Sequence, residues 1–134
     1  MTKYFADAWF YVALMDRRDA HHARAIRLAG TISANAIVTH DAVFTEVLAY
    51  FAEDGVRARQ HAIESVRQTM RKAQVVPADR RLFNAALDRY SARPDKGYSL
   101  VDCMSMVLME EQGIQHVLTN DHHFAQAGFT LVNQ

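Results

Sequence analysis

The sequence is poor in the residues that mark disulfide-rich, collagen-like or membrane-spanning proteins. It has one cysteine, two prolines and five glycines among 134 residues. Cys103 has no second cysteine with which to form an internal disulfide, so we expect a reducing compartment, the cytoplasm. The early apolar run at 8–15 is far shorter than the roughly 20 residues of a membrane helix. It also lacks a basic leader, so neither a membrane span nor a signal peptide is expected.

The chain also lacks net charge, with 15 basic and 15 acidic residues, but its charges are unevenly distributed. Residues 55–96 contain ten Lys or Arg and four acids, which gives +6 there and −6 in the rest of the chain. Twelve of the fifteen basic residues are arginine, whose planar guanidinium group suits bidentate phosphate contacts. The asymmetry permits a phosphate-bearing partner, and a solvated helix surface explains it equally well.

Short runs typical of β-strands alternate with longer segments of helical periodicity. A length of 134 residues, half of them hydrophobic, is enough for one domain with a real core, so we assign residues 1–134 to a single domain. Strands are predicted at 4–6, 36–39, 74–77, 116–119 and 129–132, and the main helices at 8–15, 19–30, 40–54, 56–73, 80–92 and 99–113. This alternation predicts an α/β fold with a parallel sheet covered by helices on both faces. Gly30 is the predicted C-cap of the second helix.

Two of the acidic residues follow predicted strands directly or after one residue. Asp7 follows the first strand, and Asp121 follows the fourth strand after Asn120. Ligands bind beyond the carboxyl ends of the strands in open parallel sheets, so both acids are candidates for a functional site. Each also has a structural explanation, because Asp is a favoured helix N-cap. Asp102 likewise matches a capping box with Ser99, three residues before it.

Glu46 has no such structural explanation. It lies on a partly apolar face of its predicted helix, and there is no lysine or arginine between Thr31 and Asp54. Placing an acid on an apolar face is costly unless the acid is paired or bound to a cation. A cation ligand is therefore the favoured interpretation of Glu46.

The four acids together suggest a site for a divalent cation. Two leave strands, and two lie on helices that begin at the same edge of the sheet. Carboxylates that converge without a cation repel one another and raise one another's pKa. An all-oxygen ligand set without cysteine suits Mg²⁺ or Mn²⁺. Such an ion polarises a phosphoryl oxygen and lowers the pKa of water, and with a basic surface nearby this chemistry points to phosphodiester hydrolysis.

Four segments around these acids resemble a known family. They are KYFADAWFYVALMDRRDAHHARA, THDAVFTEVL, DKGYSLVDCMSMVLMEEQGI and HVLTNDHHFAQAGFTLV, and they carry Asp7, Glu46, Asp102 and Asp121 in that order. The order of the acids and the flanking residues resemble PIN-domain proteins, specifically the VapC-type toxins of toxin–antitoxin pairs. The resemblance covers nearly the whole chain.

The resemblance implies a three-layer α/β/α fold with a central, mostly parallel sheet of about five short strands. It implies a metal-dependent endoribonuclease that hydrolyses RNA through a metal-activated water held by the four carboxylates. Asp7, Asp102 and Asp121 would approach Mg²⁺ or Mn²⁺, and Glu46 would help to hold or orient the ions. Thr119, a hydroxyl residue near the last acid, and Asn120 would have supporting roles. A homodimer and a small cognate antitoxin protein are also implied.

Other residues give weaker indications. The adjacent pairs His21-His22 and His122-His123 are not expected to face one way on a helix, so zinc is not favoured. Cys103 is expected to be a buried structural residue, and the methionines from Met104 to Met109 to belong to a helix core or a dimer surface. No Gly-rich phosphate loop is present, so no nucleotide cofactor is implied. Two alternatives stay open: a non-catalytic scaffold that acts by protein association, and a metal-dependent phosphatase.

Overall fold

The chain alternates short strands with longer helices, as the sequence predicts. A computed structural model describes residues 1–132, and the predicted domain end at residue 134 lies outside the described residues. The strands are β1 Tyr4–Ala6, β2 Ile37–His40, β3 Gln74–Val76, β4 His116–Leu118 and β5 Thr130–Leu131. The helices are α1 Ala8–Met15, α2 His22–Thr31, α3 Asp41–Tyr50, α4 Val56–Lys72, α5 Arg80–Ala92, α6 Leu100–Gln112 and α7 His122–Gln126.

The five strands form one parallel sheet in the order β3-β2-β1-β4-β5, flanked by helices. The central strand β1 pairs with both β2 and β4, through Tyr4 opposite Ile37 on one side and opposite His116 on the other. The chain moves from β1 to one side of the sheet and later returns to the other. The carboxyl ends of β1 and β4 therefore form the topological switch point, where open α/β sheets bind ligands.

The core lies around the central strand and α6. Phe5 on β1 is fully buried. Met106 and Met109 on α6 are also fully buried, and Cys103 is a buried free thiol. Burial raises the pKa of the Cys103 thiol, which favours the protonated, unreactive form. Cys103 is buried as predicted, and of the two alternatives for the methionines near it the structure shows the helix core.

The residues that flank α6 and α5 explain why these helices start and stop where the sequence predicts. The Ser99 side chain accepts a hydrogen bond from the Asp102 backbone N–H at 3.0 Å and caps the start of α6. Gly113 follows the last turn with φ +67°, a left-handed conformation that glycine adopts without strain. Asp79 caps α5 by accepting from the Leu82 N–H at 2.9 Å.

The prediction that Gly30 ends the second helix is wrong. Helix α2 continues to Thr31, and the Ile32 backbone N–H still donates to the Leu28 carbonyl at 2.9 Å. Ile32 then turns to an extended conformation and packs against the core. Helix α2 thus ends where the backbone becomes extended at Ile32, and Gly30 is an interior residue of the helix.

Strand ends differ from the predictions by a residue or two. β2 begins at Ile37 because Ala36 belongs to a short 3-10 turn, in which its N–H donates to the Ser33 carbonyl at 2.9 Å. β5 has only Thr130 and Leu131. A run of β-branched residues marks a strand but not its ends, which depend on pairing with neighbouring strands.

Helix α4 is the longest, at 17 residues, and is basic rather than apolar, with five Lys or Arg and one acid. Across residues 1–132, no helix combines the length and the apolarity that a membrane crossing requires.

Candidate active site

Asp7 stands at the carboxyl end of the central strand. Its backbone N–H donates to the Leu118 carbonyl at 3.3 Å, which continues the β1–β4 pairing by one residue. The side chain is buried, with 8% of the residue exposed. Asp7 occupies the N-cap position of α1, but its side chain makes no capping hydrogen bond. Capping therefore does not explain why an acidic residue occupies this buried position.

Thr119 links Asp7 to the neighbouring strand end. Its buried hydroxyl donates to Asp7 Oδ2 at 2.8 Å and accepts from the Asp121 backbone N–H at 3.2 Å. One hydroxyl therefore fixes the carboxylate after β1 and the backbone after β4. These contacts place Thr119 between Asp7 and Asp121.

Asp121 is partly buried at the start of α7. Its Oδ1 accepts from the His123 backbone N–H at 2.9 Å, the N-cap contact that the sequence allows. The Nδ1 atom of His123 lies 2.8 Å from the same Oδ1, an ion-pair contact when the ring is protonated. Both contacts use Oδ1, so Asp121 Oδ2 keeps its capacity to bind a cation.

Asp102 takes part in the capping box at the start of α6. Its Oδ2 accepts from the Ser99 backbone N–H at 3.0 Å. Burial and then repulsion from Asp121 raise the pKa of Asp102, while the hydrogen bonds with Ser99 and the proximity of His123 lower it. The structural and functional interpretations of Asp102 are thus compatible, because the cap holds the carboxylate beside Asp121.

Glu46 lies on α3, near the other three acids although the residue is exposed overall. Desolvation of its carboxyl group, followed by repulsion from Asp7, Asp102 and Asp121, raises its pKa to about 7. None of the ion pairs found within residues 1–132 includes Glu46. The absence of a local basic partner, noted in the sequence, holds for the described part of the fold.

The four acids are close enough to repel one another electrostatically. Burial is the largest cause that raises the pKa of Asp7, to about 6, and repulsion from Asp102 and Asp121 adds to it. The hydrogen bond from Thr119 acts in the opposite direction without cancelling the rise. Among residues 1–132 none of the four acids forms an ion pair with a lysine or arginine, so a bound divalent cation would relieve their repulsion.

Several residues around the acids were not singled out from the sequence. Arg24 on α2 donates from Nη2 to Asn120 Oδ1 at 2.9 Å, and its guanidinium lies 4.8 Å from the ring centroid of Trp9. Asn120, predicted to support the acids, thus has Arg24 rather than a carboxylate as its hydrogen-bond partner. The pairing joins residues 96 positions apart, so no local pattern in the sequence reveals it.

The expectation that adjacent histidines face apart is wrong for His122 and His123. Their ring centroids are 4.4 Å apart, and Asp121, His122 and His123 can bring one ligand atom each to within 4.8 Å of one another. The short helix α7 places both residues in its first turn, where the rings fold back beside the capping carboxylate. His122 remains solvent-facing, with 74% of its side chain exposed.

The basic stretch at 55–96 comprises α4, β3 and α5. Three of its ten basic residues form ion pairs within residues 1–132: Arg81 with Glu111, Arg89 with Glu110, and Arg93 with Asp95. The first two of these pairs join α5 to α6. Part of the positive charge in this stretch is thus used inside the fold, and the remainder is on the two helices and the loop after α5.

A family profile described as the PIN domain matches residues 4–130. A protein named 23S rRNA-specific endonuclease VapC20, found in two strains of Mycobacterium tuberculosis, is 30% identical over 129 residues. The alignment covers 96% of both chains.

Several solved structures are also similar to this chain. The crystal structure of Mycobacterium tuberculosis VapC20, described as a sarcin–ricin loop cleaving toxin, matches with a TM-score of 0.88 and 28% identity, covering 98% of this chain and all of that one. FitAcB from Neisseria gonorrhoeae has a TM-score of 0.75 at 12% identity, covering 97% of this chain and 96% of that one. DNA-bound VapBC from Salmonella typhimurium has a TM-score of 0.66 at 16% identity, and the match covers 98% of each chain. The last two similarities concern the fold alone.

Proposed function

The chain belongs to the PIN-domain family, and on this basis we propose that it is a metal-dependent endoribonuclease toxin of the VapC type, in a single domain spanning residues 1–134. The observation that carries the proposal is the group of four mutually repelling carboxylates at the β1–β4 switch point. The pKa values of Asp7 and Glu46 are raised, so their ionised forms are disfavoured in the fold. A bound cation would supply the positive charge that stabilises the ionised carboxylates.

Asp7, Glu46, Asp102 and Asp121 would hold Mg²⁺ or Mn²⁺. When bound, the ion supplies positive charge at the scissile phosphate and lowers the pKa of water. The chain's own contribution is orientation: Thr119 holds Asp7, and the capping contacts at Ser99 and His123 hold Asp102 and Asp121. Water adds to phosphorus and one phosphorus–oxygen bond of the RNA backbone breaks.

RNA is the proposed substrate. The relative at 30% identity is named for its action on 23S rRNA, and its crystal structure is described as that of a sarcin–ricin loop cleaving toxin. We propose a structured RNA of this kind for the present chain, because structured RNA is recognised through shape and through bases exposed in loops.

The remaining partners are proposed from the family. We propose that the chain acts in the cytoplasm as a homodimer and is inhibited by a small cognate antitoxin protein. VapBC and FitAB, whose solved structures share this fold, are studied with bound DNA. A solution mass near twice the 15.2 kDa of the chain is the expected result of light scattering.

The decisive experiment is RNA cleavage with Mg²⁺, with Mn²⁺ and with EDTA, for the wild type, Asp7→Ala and Asp88→Ala. Asp88 is an exposed acid on α5, so its removal makes the same change in net charge away from the site. Loss of a residue that supports a metal ligand costs about 10- to 100-fold, so loss of Asp7 should cost more than about 100-fold. We expect Asp88→Ala to cleave like the wild type.

Two outcomes would contradict the proposal. Equal cleavage by wild type and Asp7→Ala would mean that the carboxylates do not perform the reaction, as expected of a scaffold that acts by protein association. Turnover of phosphate monoesters without cleavage of RNA would instead indicate a small-molecule phosphatase.

A further inference from the structure

A basic, aromatic pocket opens beside the carboxylate site. It has a volume of about 430 Å³ and is formed by the end of α5 and the loop that leads to α6. Its lining residues are Tyr90, Ser91, Arg93, Pro94, Lys96 and Tyr98. Pockets of about 300 to 1,000 Å³ accommodate small ligands. The proposed reaction at the carboxylates does not use this pocket.

The lining combines an exposed ring with positive charge. Tyr90 is 53% exposed, so one face of its ring is available for stacking. Arg93 shares its charge with Asp95, through contacts of 3.3 Å at Nε and at Nη2. Lys96 forms none of the ion pairs found within residues 1–132. An aromatic ring beside a cation is the combination that proteins use to bind single-stranded nucleic acid.

The Tyr98 hydroxyl is a second indication of a ligand. Tyr98 is only 6% exposed, and its hydroxyl has no hydrogen-bond partner among the described residues. Most buried polar side-chain atoms are paired, and an unpaired one costs about 1–3 kcal/mol. Tyr98 lines the pocket but its hydroxyl oxygen is covered, so pairing with a polar ligand atom would require a shift of the side chain or of the pocket wall.

Two contacts connect the pocket to the acids. Tyr98 precedes Ser99, whose backbone N–H donates to Asp102 Oδ2 at 3.0 Å. The Tyr98 ring meets the His123 ring edge to face with centroids 5.7 Å apart, and His123 Nδ1 lies 2.8 Å from Asp121 Oδ1. The pocket therefore lies beside the residues that contact Asp102 and Asp121.

We propose that this pocket binds one unstacked nucleotide of the RNA, next to the phosphodiester that is cleaved. The base stacks on Tyr90, the adjoining phosphate contacts Lys96 and Arg93, and the Tyr98 hydroxyl pairs with a polar atom of the nucleotide. Stacking on Tyr90 accepts any base, so only the Tyr98 hydroxyl would distinguish one nucleotide from another. The position of the nucleotide relative to the cleavage point rests on the proposed function, whereas nucleotide binding in the pocket does not.

The first test is a titration of the ¹⁵N-labelled chain with each of the four nucleoside 5′-monophosphates, followed by amide NMR. EDTA in the buffer prevents a divalent ion from drawing the phosphate to the carboxylates. We expect at least one nucleotide to shift the amide signals of Gly97, Tyr98 and Ser99. Base–aromatic stacking predicts that Tyr90→Ala weakens binding by at least about five-fold.

Matched variants control this titration. Leu87→Ala removes another exposed apolar side chain of α5, and Arg71→Ala removes a positive charge on α4, as Lys96→Ala does in the pocket. We expect both controls to bind like the wild type and Lys96→Ala to bind less tightly. The proposal is wrong if nucleotides shift none of these amides. It is equally wrong if inorganic phosphate binds as tightly as the nucleotides, because the base would then contribute nothing.

The second test compares cleavage kinetics of the same variants on a short RNA. We expect Tyr90→Ala and Lys96→Ala to raise KM by at least about five-fold and to leave kcat within about two-fold, since the carboxylates are intact. Unchanged KM in both variants would place the nucleotide pocket outside the reaction. If the wild type binds nucleotides here but cleaves no RNA, the nuclease assignment fails while the nucleotide pocket stands.

Discussion

Thr119 shows how a single hydroxyl organises part of this site. It is fully buried after β4, donates to Asp7 Oδ2 at 2.8 Å and accepts from the Asp121 N–H at 3.2 Å. A valine of nearly the same shape would fill the space but make neither hydrogen bond. Exchange of threonine for valine therefore separates the polar contribution of this residue from its packing.

Thr119→Val is expected to weaken Mn²⁺ binding and reduce kcat/KM by about 10- to 100-fold, as is typical when a residue that orients a metal ligand is lost. Calorimetric titration with Mn²⁺ and steady-state RNA cleavage measure the two effects. Thr119→Ser keeps the hydroxyl and should retain most of the activity. An equal loss in Thr119→Val and Thr119→Ser would mean that packing, and not the hydrogen bonds, explains the role of Thr119.

The crowded carboxylates also affect stability in the absence of metal. The pKa of Asp7 is raised from 3.8 to about 6, and that of Glu46 from 4.5 to about 7. A carboxyl group with a raised pKa holds its proton more tightly in the folded state than in the unfolded chain. Its contribution to the free energy of unfolding is therefore highest at low pH and declines as the pH rises through 3.8–6 for Asp7 and 4.5–7 for Glu46.

Asp7→Asn removes this penalty while it keeps the shape of the side chain. In EDTA at pH 8, we expect the variant to exceed the wild type in free energy of unfolding by up to about 3 kcal/mol. The difference should vanish near pH 4. Urea unfolding at the two pH values measures both quantities. Equal stability of the two proteins at pH 8 would contradict the repulsion that we infer.

His40 changes the free energy of unfolding with pH in the opposite direction. The effect of the carboxylates is therefore isolated only by the difference in this free energy between wild type and Asp7→Asn. It is fully buried with Nε2 2.9 Å from Ser105 Oγ, and desolvation lowers its pKa to about 4. Its contribution to stability is present above its ordinary pKa of 6.5 and is lost as the pH falls toward 4. Both proteins contain His40, and its effect cancels in the comparison.

At the scale of elements, helix starts position the acids. Helix α6 begins with a reciprocal pair of hydrogen bonds between Ser99 and Asp102. Helix α7 begins with the contact from the His123 N–H to Asp121 Oδ1. A cap of this kind restricts the side-chain rotamer of the acid, so the same hydrogen bond that starts the helix also orients a candidate metal ligand.

Two cap deletions separate these roles. Ser99→Ala removes the cap of α6, and Asp79→Ala removes that of α5, far from the acids in sequence and without contact to them. Each should lower the free energy of unfolding by about 0.5–2 kcal/mol. We expect kcat/KM to fall by up to about ten-fold in Ser99→Ala, because the first turn of α6 that carries Asp102 loosens although the Ser99 backbone N–H still donates to Asp102 Oδ2, and to stay within about two-fold in Asp79→Ala. Equal activity of both variants would show that the cap of α6 has no functional role.

Elements with a local cause were predictable from the sequence. The Ser99 capping box and Gly113 give the bounds of α6, and β-branched runs locate the five strands to within a residue or two. The bounds of helices and strands that depend on tertiary contacts were not predictable from the sequence. Helix α2 continues past Gly30 to Thr31, and β2 starts only after a 3-10 turn. Such causes lie in packing partners that are distant in sequence.

In the candidate site, too, features with a local cause were predictable from the sequence and tertiary contacts were not. Asp7, Asp102 and Asp121 were singled out because each follows a strand or stands near a helix start, and Glu46 because it is an acid on a partly apolar face without a basic residue nearby. The contact between Arg24 and Asn120 joins positions with no common pattern. The folding of the rings of His122 and His123 against Asp121 depends on side-chain rotamers, which periodicity does not encode. The pocket at Tyr98 likewise depends on loop geometry.

The whole molecule separates its charges between a negative site and a basic segment. Its net charge is zero, yet residues 55–96 have an excess of +6 and the rest of the chain −6. Ion pairs with Glu110 and Glu111 attach part of this charge to α6. A phosphate backbone approaching four acids is repelled unless cations flank its path, and the segment at 55–96 contains such cations.

Salt dependence of RNA binding tests this arrangement. For an oligonucleotide bound to Asp7→Asn, which should not cleave it, we expect log K to fall linearly with log salt concentration. Two to four phosphate contacts give a slope of about −1.4 to −2.8. Lys96→Ala should reduce the magnitude of the slope by about 0.7.

Arg81→Ala serves as the control because Arg81 is paired with Glu111, and its loss should leave the slope unchanged. A slope near zero in Asp7→Asn would mean that the basic segment does not contact RNA. The +6 segment would then be free to contact the second protomer or the antitoxin, and its charge would serve assembly and not substrate binding.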